Sequence, residues 1–221
     1  VKNVIVIKMK KIFLISLASL LFWTPVLAQT GEANVDTIIL ASNKNYPDAL
    51  ISGPVSEKLG VPVVLTESNQ LSEEAESAIE SYSPQEIVIV GGPAVVSKEV
   101  ENQLSQNYEV TRLWGMTRFG TSVEVASYFW PEGADKAFIV QNDMNSMRSE
   151  VLAEAKQLAE DEEAPVFLAP SGNVPANVLA EMQDLGVNQT VLVGSNISAR
   201  MRTQVRDMGA SIEEEIGRAS C

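Results

Sequence analysis

Short apolar runs separated by amphipathic stretches set the pattern of this chain. Thr37–Ala41, Val63–Leu65 and Ile87–Val90 are apolar at nearly every position, and turn residues follow each. Runs without polar alternation predict strands buried on both faces, as in a parallel sheet covered by helices. Between them, Asp48–Leu59 places Leu50, Val55 and Leu59 along one side of a helix. Ser72 and Ser97 are N-cap residues ahead of two further helices, and the acids after Ser72 suit the positive end of a helix dipole. Glu109–Leu113 closes this first unit as a short strand.

The order then runs again, with strands over Ala137–Gln141, Val166–Leu168 and Val191–Val193, and helices over Ser149–Glu160, from Pro175, and over Ser198–Val205. Pro175 fits a first helical turn, where a missing N–H costs nothing. The copies keep step, since Pro62 to Gly91 and Pro165 to Gly194 both span 29 positions. Such a repeat predicts an α/β chain of tandem Rossmann-like layered units with mainly parallel strands. Expected boundaries are 29–36 for a polar lead, 37–130 for the first unit and 131–216 for the second. Thr121–Trp130 is the expected joining helix. Sheets this small are expected to pack together, within one chain or between copies.

The two ends differ from the rest. Met9-Lys10-Lys11, the apolar Ile12–Trp23 and Pro25–Ala28 have the form of a secretory signal peptide. Cleavage is expected after Ala28, with residues 1–8 an over-long start; the alternative is an uncleaved anchor. No later segment is long enough to span a bilayer, so a secreted chain with no stable membrane span is expected. Glu215–Cys221 resembles a translated sequencing adapter, so residues 217–221 are expected to be foreign, at a truncated end; the alternative is an ordinary C-terminus. Residues 29–214 contain no cysteine, so the secreted chain must stand on its packed core rather than on disulfides.

Charge narrows the partners. The net charge is −13, and loss of residues 1–28 removes four lysines and no acid, leaving −17. Acid runs such as Glu160–Glu163 read as solvated helix faces. There is no basic stripe interleaved with aromatics, so no nucleic-acid partner is expected. The chain has no histidine, which excludes histidine catalysis and histidine metal ligation.

Three turns carry candidate chemistry. Asp48, in Asn45–Leu50, sits after a strand and before a helix, where an acid either satisfies free helix amides or meets a ligand. Gly91-Gly92-Pro93 lies in the same kind of place and is either an anion cradle or a tight turn. Arg112 and Arg118 flank a Trp-Gly turn, and arginine pairs with carboxylates and phosphates. Internal ion pairs with neighbouring acids are the alternative.

Tyr46–Leu50, Gly60–Thr66, Ile87–Gly92, Val95–Ser97 and the Arg112–Ser122 segment occur in that order. Together they resemble the cell wall-binding repeat type 2 family of bacterial and archaeal surface proteins, well over residues 37 to about 128 and loosely over 137 to about 216. The resemblance implies a non-catalytic module, used in tandem and often in threes, that holds secreted proteins to the envelope. Its implied partner is an anionic cell-wall polymer or a peptidoglycan-associated glycan, and its implied location is the cell wall or surface. Carried onto this chain, the implied ligand-binding residues are Asp48, Gly91, Gly92, Arg112, Arg118 and Thr121. No cofactor is implied, although a divalent cation could bridge two anions.

The second copy departs from this pattern. Its first strand aligns at an offset of 100 and its later parts at 103. The Asp48 position falls within 148–151, where Glu150 is the only acid, and the glycine pair becomes Gly194-Ser195. Near the counterpart of Arg112 stand Glu213 and Glu214. Function is therefore expected in the first unit. Two other readings remain: a small-ligand-binding or hydrolytic α/β domain using Asp48, Gly91 and Gly92, and a surface-layer subunit bearing glycosylation-type triplets at Asn188 and Asn196.

Overall fold

A computed structural model describes residues 35–44, 46–141 and 149–217. The expected signal peptide, most of the polar lead and residues 218–221 lie outside the described residues. The described residues form one compact unit.

Among the described residues eight strands and seven helices alternate. The first half is β1 (Thr37–Ser42), α1 (Tyr46–Leu59), β2 (Val63–Thr66), α2 (Glu73–Tyr82), β3 (Glu86–Val90), α3 (Lys98–Leu104) and β4 (Glu109–Leu113). Then come α4 (Arg118–Phe129), β5 (Lys136–Gln141), α5 (Ser149–Asp161), β6 (Val166–Ala169), α6 (Ala176–Asp184), β7 (Gln189–Val193), α7 (Ala199–Asp207) and β8 (Ser211–Ile216). They build two four-stranded, all-parallel sheets, ordered β2-β1-β3-β4 and β6-β5-β7-β8. The α/β class and the tandem layered architecture are those the repeat predicts.

The caps explain where helices begin. Ser72, Ser97 and Ser198 each accept a hydrogen bond from the backbone N–H three residues on, at 3.2, 3.4 and 3.0 Å. Pro175 is the N-cap of α6 rather than its first helical residue, and its carbonyl accepts from Val178 and Leu179 N–H at 3.1 Å.

Alternate residues of the first sheet enter different cores. Ile38, Leu40, Ile87 and Ile89 pack against α2 and α3 through Ala75, Ile79, Val100 and Leu104. Ile39, Val88 and Val90 face α1 and α4, whose other side continues into the core of the second sheet. α1 is therefore buried nearly all round from Pro47 to Val55, whereas Leu59, expected on its inner side, is half-exposed. α4 joins the halves as expected: Leu168 N–H donates to Ser122 Oγ at 3.1 Å, and Trp130 Nε1–H donates to the Glu163 carbonyl at 2.9 Å.

The ladders refine the repeat. Thr37 pairs with Glu86 and Lys136 with Gln189, so the first strands differ by 99 positions, not 100, while β3 and β7 differ by 103. Strand β8 lay hidden in the sequence because Ser211–Ile216 is half acid. It pairs with β7 through an irregularity at Thr190/Val191 that sets Glu215, rather than Glu213 or Glu214, at the place of Arg112.

Candidate functional site

The carboxyl ends of β1, β3 and β4 open onto one cleft of about 240 Å³, whose lining includes Asp48, Gly92, Trp114, Thr117, Arg118 and Thr121. In an open parallel sheet this is where ligands bind, because helix N-termini and connecting loops converge there. Of the six expected site residues, the structure brings Asp48, Gly92, Arg118 and Thr121 to the lining, with Gly91 directly behind.

Asp48 enters from the first turn of α1 and is 2% exposed. Gly91 follows β3 with φ +116°, and a Cβ there would lie 2.8 Å from Asp48 Oδ2. Glycine thus meets two demands at once: a left-handed backbone and room for a buried carboxylate. A Cβ on Gly92 would lie 3.0 Å from the Trp114 ring.

The far wall is the β4–α4 loop. Gly115 and Gly120 approach so closely that a Cβ on Gly115 would lie 2.6 Å from the Gly120 Cα. Thr121 Oγ1 accepts from Gly115 N–H at 3.2 Å and donates to the Thr117 carbonyl at 3.4 Å. Thr117 caps α4 by accepting from Gly120 N–H at 3.2 Å. Exposed Arg118 opens the helix, and no acid occupies the first turn. A guanidinium on the positive end of a helix makes this wall electropositive within an acidic chain.

Arg112 needs correcting. It lies outside the cleft lining, and its side chain is 7% exposed. Its guanidinium pairs with Glu101 at 2.9 Å and donates to the carbonyls of Gly91 at 2.7 Å and Ser97 at 3.4 Å. With its donors spent on the protein, it fixes the glycine turn from behind rather than meeting a ligand. The second unit supports this structural role, because there the charges are exchanged: Glu215 on the strand accepts from Arg202 on the helix at 2.8 Å.

How the second unit differs at the glycine emerges only from the structure. Gln141, the ladder counterpart of Ser42, is 1% exposed and lies against Gly194, where a Cβ would collide with its amide. The amide is anchored by donation to the Asn196 carbonyl at 2.9 Å. A glutamine amide thus fills the space beside Gly194, where the first unit places the Asp48 carboxylate beside Gly91. The signal was the polar residue ending an otherwise apolar strand, visible only once the 99-position offset is known. Sequence reasoning also passed over Trp114 as part of the site.

Among the described residues no group of three or more His, Cys, Asp or Glu is placed to hold a metal ion. Among the same residues, no helix is long and apolar enough to cross a membrane.

Comparison with known proteins fits this geometry. The chain is 34% identical over 118 residues to the amidase enhancer of Bacillus subtilis (strain 168), covering 53% of this chain and 16% of that protein. It is 23% identical over 163 residues to the N-acetylmuramoyl-L-alanine amidase LytC of the same organism, covering 73% of this chain and 32% of the amidase. It therefore spans less than two thirds of either relative. The fold matches that of Cwp6 from Clostridium difficile, with a TM-score of 0.70 and 18% identity, over 84% of this chain and 29% of Cwp6. The model of cell wall binding domain 2 (CWB2) matches residues 7–101, ending within α3 and so before the β4–α4 wall of the cleft. Residues 7–101 are thus similar to the CWB2 family.

Proposed function

We propose that the chain is a secreted, non-catalytic module that attaches to the cell envelope by binding an anionic wall polymer in the first-unit cleft. The observation that carries this reading is the convergence of Asp48, Gly92, Arg118 and Thr121 on one opening, in the unit that the CWB2 match overlaps. The electropositive wall at the start of α4 offsets the repulsion that an acidic chain would exert on an anionic polymer. Asp48, on the opposite side, contributes a buried carboxylate at the back of the cleft.

A binding role suits the chemistry of the lining. Among the described residues Asp48 is the one carboxylate of the lining, and no nucleophile–base pair accompanies it there. The amidase relatives suggest company rather than activity: a wall-binding module would hold a catalytic partner or domain near its substrate. Cell wall or cell surface is the location that follows, with the Met9–Ala28 segment as the route of export.

The test is retention of the chain on purified cell walls before and after their anionic polymers are stripped. Retention should fall on stripping and weaken with added salt. Equal retention on stripped walls contradicts the anionic-polymer reading, and turnover of wall fragments abolished by Asp48→Asn contradicts the non-catalytic one. Loss of retention on chelation would show that a divalent cation bridges polymer and protein.

A further inference from the structure

We propose that Trp114 is a ring-stacking platform that gives the cleft a preference for a sugar-bearing polymer over a bare polyol phosphate chain. The inference rests on the wall-binding reading and adds a specificity residue to it.

The chain places its two described tryptophans very differently. Trp130 is 3% exposed, and its Nε1–H donates to the Glu163 carbonyl, which is how a core indole is satisfied. Trp114 is 46% exposed on the cleft lining, and its loop neighbour Met116 is 98% exposed. Folding gains little from the exposed half of the indole, whereas a ligand gains a flat apolar surface.

Its placement is rigid. The ring edge is seated against Gly92, and the following Gly115 is pinned by Thr121 Oγ1 and by close contact with Gly120. A surface fixed before binding loses little entropy when the ligand arrives.

The neighbours select the ligand. An indole face is electron-rich, and the C–H groups on one face of a pyranose carry partial positive charge, so the two stack. The hydroxyl edge of that sugar meets exposed Thr117 on the polar lining, and an acidic group on the polymer meets Arg118. A polyol phosphate without sugars offers the acidic group but no ring.

The experiment measures binding of the full chain to a purified glycosylated polyol phosphate polymer and to the same polymer after enzymatic removal of its sugars. The parent should prefer the glycosylated form by about tenfold. Trp114→Ala should bind both forms alike at the weaker affinity, Trp114→Phe should keep most of the preference, and both variants should melt with the parent. Equal binding of both forms by the parent, or an intact preference in Trp114→Ala, overturns this inference and leaves wall binding standing. Binding to neither form, with no retention on whole walls, overturns the wall-binding reading itself. A parent that instead captures free wall stem peptides through Trp114 overturns the saccharide assignment.

Discussion

At the scale of residues, burial decides which of two similar arginines reaches the cleft. Arg118 is exposed at the start of α4, whereas the Arg112 side chain is 7% exposed and spends its donors on Glu101, Gly91 and Ser97. Arg112→Ala would leave the Gly91 carbonyl without its partner and Glu101 without its counterion. It should cost about 2 kcal/mol of stability, read from urea denaturation. Arg112→Lys should recover only part, because a point charge cannot reach all three acceptors at once. No loss of stability would contradict the structural role. The sequence showed two arginines around a turn but not that one faces inward, because strand direction and the position of α3 settle that.

At the scale of elements, α4 performs two jobs. Its N-terminus forms one wall of the cleft, and its body seals the edge of the second sheet. Ser122 carries both, accepting from Leu168 N–H at 3.1 Å while its hydroxyl donates to the Phe119 carbonyl at 2.8 Å. Ser122→Ala strands a buried edge-strand donor and should destabilise the chain by about 1–2 kcal/mol, seen as a lower melting temperature in calorimetry. An unchanged melting temperature would mean that this bond does not hold the halves together. Most elements were legible beforehand, because parallel strands buried on both faces announce themselves as apolar runs. Strand β8 was not, since it lies at a sheet edge and carries Glu213, Glu214 and Glu215 with only Ile216 buried among its residues. The even apolar character of α1 likewise reflects its place between two layers, so Leu59 could not be assigned inward by periodicity alone.

At the scale of the whole molecule, one fold is used twice with different ends. Both halves keep the same strand order, and their cores run together through α1 and α4. The first half sets Asp48 beside Gly91 at an open cleft, and the second sets Gln141 beside Gly194. Comparison of the repeats in sequence already pointed to the first half. It could not supply the reason, which is a glutamine side chain folded back onto a glycine. The central claim is that the first-half cleft, and not the acidic surface at large, holds the wall polymer. Equilibrium binding to purified walls, with Arg118→Ala compared against the second-half variant Glu150→Ala, tests it most directly. Arg118→Ala should weaken binding about tenfold with the melting temperature unchanged, while Glu150→Ala stays close to the parent; equal losses, or none from Arg118→Ala, would contradict the assignment.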